Sequence, residues 1–382
     1  MTLTLDGPLD APLLVCGRDP GAQEVFQGRP FVGDSGHLLD RALARTPLPR
    51  ARVAVTNVVG QRPAGNLWTA HTPGNVEQGV AALRARLESR VFQGRPVVLA
   101  CGEQATLACL GYDPRESLAD ALGEPITVLR GYPFYGHAGC VVVPTVHPAF
   151  MLHGQGGGQG KGNWLPWWPL FCWDAAKAVR LALAGGWAPP QAEDEGVARV
   201  ERPWREALAG GEGLLAVDIE TSRAVGPECI GFAGSALRGC AFPFAGNEEV
   251  ARAILASPRP KVFHNGQFDV TVLERFGYEV RGWAHDTQLL WHAAEPVIAG
   301  QGDGSSVKNK RTEKSLRLLA SVLTDTPFWK NYNFSSKEEQ WKLCATDARV
   351  TWACAQVLLG RLTGVSLPQG ADAVFGALPE KK

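Results

Sequence analysis

The chain has 382 residues, 45% hydrophobic and 20% charged, which is enough to bury cores and excludes a disordered polymer. Its length fits two domains better than one. Lys plus Arg balance Asp plus Glu at 38 each, which argues against a protein that coats polyanions in bulk, although a local basic groove beside an acidic site remains compatible with a neutral total. The nine cysteines are scattered without a Cys-x-x-Cys pair, which argues against a zinc ribbon or a disulfide framework and for core thiols in a reducing compartment. With no apolar run long enough to span a bilayer and no signal peptide, a soluble, intracellular chain with no membrane partner is expected.

The first element pattern runs from residue 12 to about 180. Short apolar runs at Pro12–Gly17, Arg52–Val59, Pro96–Gly102 and Cys140–Pro144 read as buried strands. Between them Val76, Val80, Leu83 and Leu87 recur on one helical face. Buried strands alternating with helices predict an α/β domain with a mostly parallel sheet, whose ligands gather at the carboxyl ends of the strands. Asp19, Asn57 and His147 all lie at or just past such ends.

The Gly154–Gly162 run is a glycine-rich loop, and Trp164, Trp167, Trp168 and Trp173 follow it. These tryptophans read first as packing at a domain edge and second as a platform for stacking DNA bases. Residues 185–196 are rich in turn formers and acids and read as a linker. The expected organisation is therefore a first domain over 1–184, the linker, a second domain over 197–365 and a tail over 366–382.

The second domain opens with strand-like runs at Leu214–Thr221, Cys229–Ser235 and Cys240–Phe244, close enough together for an antiparallel meander. A further strand is expected at Lys261–His264, and helical patterns then continue to Leu362. Between them, Ala299–Thr312 is a Gly/Ser-rich loop that turns basic. Lys308, Lys310, Arg311 and the following Lys314 read either as a solvated loop or as a clamp on a phosphate backbone. Asp218 and Glu220 stand two apart on a strand and so share a face, where they interrupt a run otherwise suited to burial. Asp269 is expected at the start of a helix and Asp347 inside another. Buried carboxylates need compensating cations, and four of them can hold two Mg2+ or Mn2+ ions about 4 Å apart for phosphodiester hydrolysis.

Asp218-Ile-Glu220-Thr, Asn265-Gly-Gln-Phe-Asp269 and the Asp347 helix resemble the DEDD 3′–5′ exonuclease domain of family A DNA polymerases, over about 197–363. The resemblance takes in Asp286-Thr287 and the helix start at Lys314-Ser-Leu316. It implies a ribonuclease-H-like fold with a mixed sheet, and Asp218, Glu220, Asp269 and Asp347 as metal ligands. One departure stands out. The position four residues before the last Asp, where the tyrosine subgroup orients the attacking water, holds Leu343, and the histidine subgroup's position holds Lys342. A slowed or altered nuclease is the expectation, and Leu343→Tyr should raise its rate. No polymerase palm is expected to follow.

Gly17-Arg-Asp-Pro-Gly21, Gly28-Arg-Pro-Phe-Val-Gly33, Thr56-Asn-Val-Val59, Arg62-Pro-Ala-Gly-Asn66 and His147-Pro-Ala149 together resemble the uracil-DNA glycosylase superfamily, nearest to its family four, over about 11–183. The implied fold is an α/β/α sandwich. By this resemblance Phe31 stacks on the flipped base, Asn57 reads its polar edge and His147 donates to the oxyanion that develops as the base leaves. Asp19 is expected to orient water and stabilise the cationic sugar. Family four usually has Glu where Arg18 stands and a small residue where Asp19 stands, and it carries four cysteines for an iron–sulfur cluster. Gln61 occupies one of those cysteine positions, so no cluster is expected.

The two resemblances imply a bifunctional DNA-processing enzyme that excises uracil and trims DNA 3′ ends. It would act on single-stranded DNA or 3′ ends in the cytoplasm of a bacterial or virus-infected cell, beside a separate DNA polymerase. The alternatives are that one domain alone is active, or that the chain is a non-catalytic DNA-binding module that recruits a polymerase.

Overall fold

The computed structural model describes residues 5–89, 96–152, 164–191, 213–222, 226–296, 314–330 and 335–364. They fall into two compact units divided between Ala188 and Pro189.

The first unit is built on six strands: β1 (Leu5–Asp6), β2 (Leu13–Gly17), β3 (Val53–Asn57), β4 (Val97–Cys101), β5 (Phe134–Tyr135) and β6 (Val141–Thr145). Their spatial order is β1-β3-β2-β4-β6-β5, with the central four parallel and both edges antiparallel. The helices are α1 (Ala22–Gln27), α2 (Asp34–Leu43), α3 (Pro73–Glu88), α4 (Glu103–Leu110), α5 (Leu118–Leu122), α6 (Ile126–Leu129), α7 (Pro148–Leu152) and α8 (Trp164–Leu183). Every residue of β2, β3, β4 and β6 is buried, as a parallel sheet covered on both faces requires. Alternate residues serve the two layers. Leu13 and Val15 pack with α2 and α8, whereas Leu14 and Cys16 pack with α3 and α4. The α3 face is the one the periodicity marks, with Val76, Val80, Leu83 and Leu87 buried. Trp167 and Trp168 pack against the core beside α2, the first of the two readings of the tryptophan cluster.

The second unit has strands β7 (Leu215–Ser222), β8 (Gly226–Ala233), β9 (Gly239–Pro243), β10 (Lys261–Phe263) and β11 (Trp283–Asp286), in the order β11-β10-β7-β8-β9. β7, β8 and β9 form the antiparallel meander, and β10 and β11 add in parallel. Three antiparallel strands extended at the first strand by two parallel ones is the ribonuclease-H-like arrangement. The helices are α9 (Glu248–Leu255), α10 (Gly266–Arg275), α11 (Thr287–Ala294), α12 (Leu316–Leu323) and α13 (Lys337–Thr363). α13 lies across β7, β8 and β9. That approach depends on Gly231 of β8, where a Cβ would stand 2.5 Å from the Cys344 carbonyl oxygen. The close seat puts Asp347, one turn further along α13, opposite the acids of β7.

Candidate functional sites

In the first unit, β2 and β3 end side by side, with Gly17 in register with Asn57. A Cβ on Gly17 would lie 2.4 Å from Asn57 Oδ1 and 2.6 Å from Phe31 Cε2. The missing side chain therefore lets the Asn57 amide and the Phe31 ring close onto the Gly17 backbone. Asn57 is 6% exposed, and its Nδ2 has no hydrogen-bond partner among the described residues. An unpaired buried donor costs about 1–3 kcal/mol, a cost that a bound carbonyl would remove.

Phe31 is buried and sits at φ 53°, a backbone region that a bulky residue adopts only when its surroundings hold it there. Glu24 does the holding. Its two carboxylate oxygens accept from the backbone N–H groups of Phe31 and Gly21. Burial raises the Glu24 pKa, and those two hydrogen bonds pull it back down. Glu24 is absent from the sequence-based site; the trace it leaves is an acid three residues after Gly21, the helix-capping spacing.

His147 follows β6, and its ring centroid lies 6.0 Å from that of Phe31. The Ala149 N–H donates to His147 Nδ1 at 3.1 Å, so in the neutral ring the proton sits on Nε2. Asp19 is enclosed. Arg18 Nε donates to its Oδ2 at 2.9 Å and Arg18 Nη2 to its Oδ1 at 3.2 Å, while His71 Nε2 stands 3.2 Å from Oδ2. The Asp19 side chain is 3% exposed. Arg18 Nη2 also donates to the Asn66 carbonyl. Asp19 thus has its oxygens on Arg18 and His71, and sequence reasoning gave no sign of His71.

Cys16, Cys101, Cys109 and Cys140 of this unit are buried free thiols, and Cys172 is half-buried. Burial pushes the Cys101 thiol well above its ordinary range and those of Cys140 and Cys172 up to about 12. Gln61 accepts a hydrogen bond from Asn75. Among the described residues, the group of three or more Cys, His, Asp or Glu ligand atoms lying within 4.8 Å of one another is an acidic one in the second unit.

That group is Asp218, Glu220 and Asp347. Burial pushes Asp218 well above the usual carboxylate range, and repulsion from Asp347, Asp269 and Glu220 adds to it. Burial followed by repulsion from Asp347 lifts Glu220 to about 7. Asp269 also stands at about 7, raised first by burial and held down by its own and the Ile219 backbone N–H groups. Four crowded carboxylates, Asp269 and Asp347 buried and Asp218 and Glu220 half-buried, are a donor set suited to Mg2+ or Mn2+.

The frame around them is specific. Asp286 is buried, and it accepts from the backbone N–H groups of Asn265 and Gly266 at 3.3 and 2.7 Å. It also caps α11 through the Gln288 N–H, and it thereby anchors the start of the helix that carries Asp269. Trp329 Nε1 donates to Asp347 Oδ1 at 2.6 Å, and Lys330 Nζ is ion-paired with Asp347 Oδ2. Nothing in the sequence pattern singles out Trp329 or Lys330. Leu343 is buried one turn before Asp347, so an apolar side chain fills the position where the water-orienting phenol is expected. Of the basic loop, Lys314 lies just before the Ser315 cap of α12, where its backbone takes a hydrogen bond from the His264 ring. Lys308, Lys310 and Arg311 lie outside the described residues.

Residues 5–168 match the family model of the uracil DNA glycosylase superfamily. The type-4 uracil-DNA glycosylase of Thermotoga maritima is 32% identical over 152 residues, covering 39% of this chain and 71% of the relative. That of Pyrobaculum aerophilum is 33% identical over 154 residues, covering 38% and 71%. Among solved structures, Escherichia coli RNase D, an exoribonuclease involved in structured RNA processing, matches at 17% identity and a TM-score of 0.29. That match covers 49% of this chain and 48% of RNase D. What identifies the second unit's fold is its own strand order.

Proposed function

The chain belongs to the uracil-DNA glycosylase superfamily, and from that premise we propose that its first unit excises uracil from DNA while its second hydrolyses DNA from the 3′ end. The observation that carries the first activity is the buried Asn57 amide, whose Nδ2 has no partner among the described residues and which packs with the Phe31 ring against Gly17. A flipped uracil stacks on Phe31, and Asn57 pairs with its imide edge, donating from Nδ2 and accepting at Oδ1. As the bond between the base and the sugar C1′ breaks, negative charge collects on the base, and the Nε2–H of His147 donates to it. Water adds to C1′ and leaves an abasic sugar. Asp19, itself in contact with His71, acts through Arg18, which it holds together with the Asn66 carbonyl next to Gly17.

The second activity is supported by the convergence of Asp218, Glu220, Asp269 and Asp347. Mg2+ or Mn2+ held there would supply Lewis-acid charge and a water of lowered pKa, and the family resemblance implies two ions. Asp218 and Glu220 offer their oxygens from one face of β7, and Asp347 offers its own from α13. Water attack on the last phosphodiester breaks the P–O3′ bond and releases a nucleoside 5′-monophosphate. The substrate is DNA, single-stranded or at a 3′ end, and a separate DNA polymerase is the partner such an activity would serve.

One gel tests both activities. A 5′-labelled single-stranded oligonucleotide with one internal uracil is incubated with the chain in Mg2+ or in EDTA, with and without hot alkali. An alkali-dependent break at the uracil that survives EDTA, together with a metal-dependent ladder from the 3′ end, is the expected result. A substrate left intact under every condition would leave a DNA-binding module as the remaining reading.

A further inference from the structure

The end of β6 is held by a buried polar network that the excision chemistry does not itself use. Asp174 of α8 and Arg130, which follows α6, are ion-paired, and each side chain is 1% exposed. Arg130 Nε donates to Asp174 Oδ2 at 2.7 Å, and Arg130 Nη2 donates to Oδ1. The same Oδ2 accepts from the Thr145 hydroxyl at 2.7 Å. Thr145 is the last residue of β6 and stands two residues before His147. Its carbonyl accepts from the Gly102 N–H just past β4, and the Pro144 carbonyl accepts from the Gly131 N–H, both at 2.8 Å. Lys177, three residues after Asp174 on α8, donates to the Gly131 carbonyl at 2.7 Å and is buried. α8 therefore grips the end of β6 twice, once through the Thr145 side chain and once through the backbone of Gly131. His147 then packs over Gly102, whose added Cβ would lie 3.3 Å from the His147 Cβ.

A buried ion pair adds little net stability over an apolar replacement, because desolvation offsets the attraction. What this pair supplies is direction. The forked guanidinium fixes both Asp174 oxygens, so the Thr145 hydroxyl meets an acceptor that cannot turn away. We infer that Thr145 and the Asp174–Arg130 pair are positioning residues for His147, and that they set the reach of its Nε2–H towards the departing base. The inference rests on the excision reading of the first unit. It gives the buried pair a kinetic role, since a donor misplaced by about 1 Å costs on the order of 100-fold in rate.

The test is single-turnover uracil release from a single-stranded oligonucleotide, with the rate followed against enzyme concentration. Thr145→Ala should lower the saturating rate about tenfold or more and leave the half-saturating concentration within about twofold of the parent. Thr145→Ser, which keeps the hydroxyl, should recover most of that loss. In a His147→Ala background, Thr145→Ala should cost nothing further, because its effect passes through the imidazole. A parental rate for Thr145→Ala would overturn the inference. So would a loss of equal size with and without His147, the result expected of a hydroxyl that only holds the fold. Thr145→Val supplies the same comparison if Thr145→Ala does not fold. A parental rate for His147→Ala, or no release by the unaltered chain, would strike the excision reading itself, and this inference with it.

Discussion

Gly17→Ala should abolish most uracil excision while leaving the first unit folded. The added Cβ would stand 2.4 Å from Asn57 Oδ1 and 2.6 Å from Phe31 Cε2. Carbon–oxygen contacts settle near 3.3–3.6 Å and carbon–carbon contacts near 3.5–4.0 Å, so the amide and the ring must each retreat by about 1 Å. Overpacking of that kind costs about 1–3 kcal/mol. In a unit of this size each kcal/mol lowers Tm by about 2–4 °C. The kinetic effect is larger, because a 1 Å misplacement of positioning groups costs on the order of 100-fold. Gly136→Ala provides the control, since its Cβ would meet the Cys109 carbonyl oxygen at 2.5 Å without touching Phe31 or Asn57. It should destabilise the unit comparably and keep its excision rate below Tm. Single-turnover release of uracil at 25 °C, followed by alkali cleavage, reads both variants. If Gly17→Ala released uracil within about threefold of the parent, the Gly17, Phe31 and Asn57 cluster would not be where the base reacts.

His147→Ala should cut uracil release sharply with little change in Tm, and near-normal release would remove His147 from the mechanism. Asp19→Asn should also cut release and, unlike His147→Ala, should lower Tm, because it uncouples Arg18 and His71; an unchanged Tm would count against the holding role. Leu343→Tyr should raise the metal-dependent nuclease rate on a single-stranded 3′ end, and no increase would count against the placement of that position one turn before Asp347. The metal-free second unit should lose stability as pH rises. Asp269 and Glu220 have folded pKa values of about 7 against ordinary values of 3.8 and 4.5, so their contribution is fully present below about pH 4 and is lost as pH passes through 7. Mn2+ should therefore raise Tm more at pH 7.5 than at pH 5, and equal increments at the two pH values would contradict this linkage. Purified protein should contain no iron or labile sulfide, and a stoichiometric iron content would overturn the reading of Gln61 as a lost cysteine ligand.

Most of the sheet framework was legible because it rests on local pattern. Four continuous apolar runs became β2, β3, β4 and β6 within a few residues of their sequence bounds, and the meander runs became β7, β8 and β9. The edge strands escaped notice because β1 and β5 have two residues each, too few to show a period. The acids of the second unit were legible from Asp218 and Glu220 interrupting a buried strand, and Asn57 and His147 from their place at strand ends. What stayed hidden are the residues that act on those groups from elsewhere in the chain. Glu24 works by accepting two backbone N–H groups, and nothing in its type distinguishes that from an ordinary helix cap.

Lys330 is the sharper case. In sequence it is one lysine among 38 basic residues, and its distance from Asp218 along the chain gives no hint of contact. Its meaning arises only when α13 is seated on Gly231 and brings Asp347 opposite β7, because Lys330 then pairs with Asp347 and its charge partly offsets the upward pKa shifts of Asp218 and Glu220. The Lys330 side chain is 13% exposed and that of Asp347 5%, so water screens this pair less than the surface pair a lysine usually makes. Lys330→Met would leave Asp347 Oδ2 without that cation, and removing one partner of a buried pair costs about 3–5 kcal/mol. That loss should appear as a lower Tm of the second unit, and an unchanged Tm would mean that the pair contributes nothing to the fold.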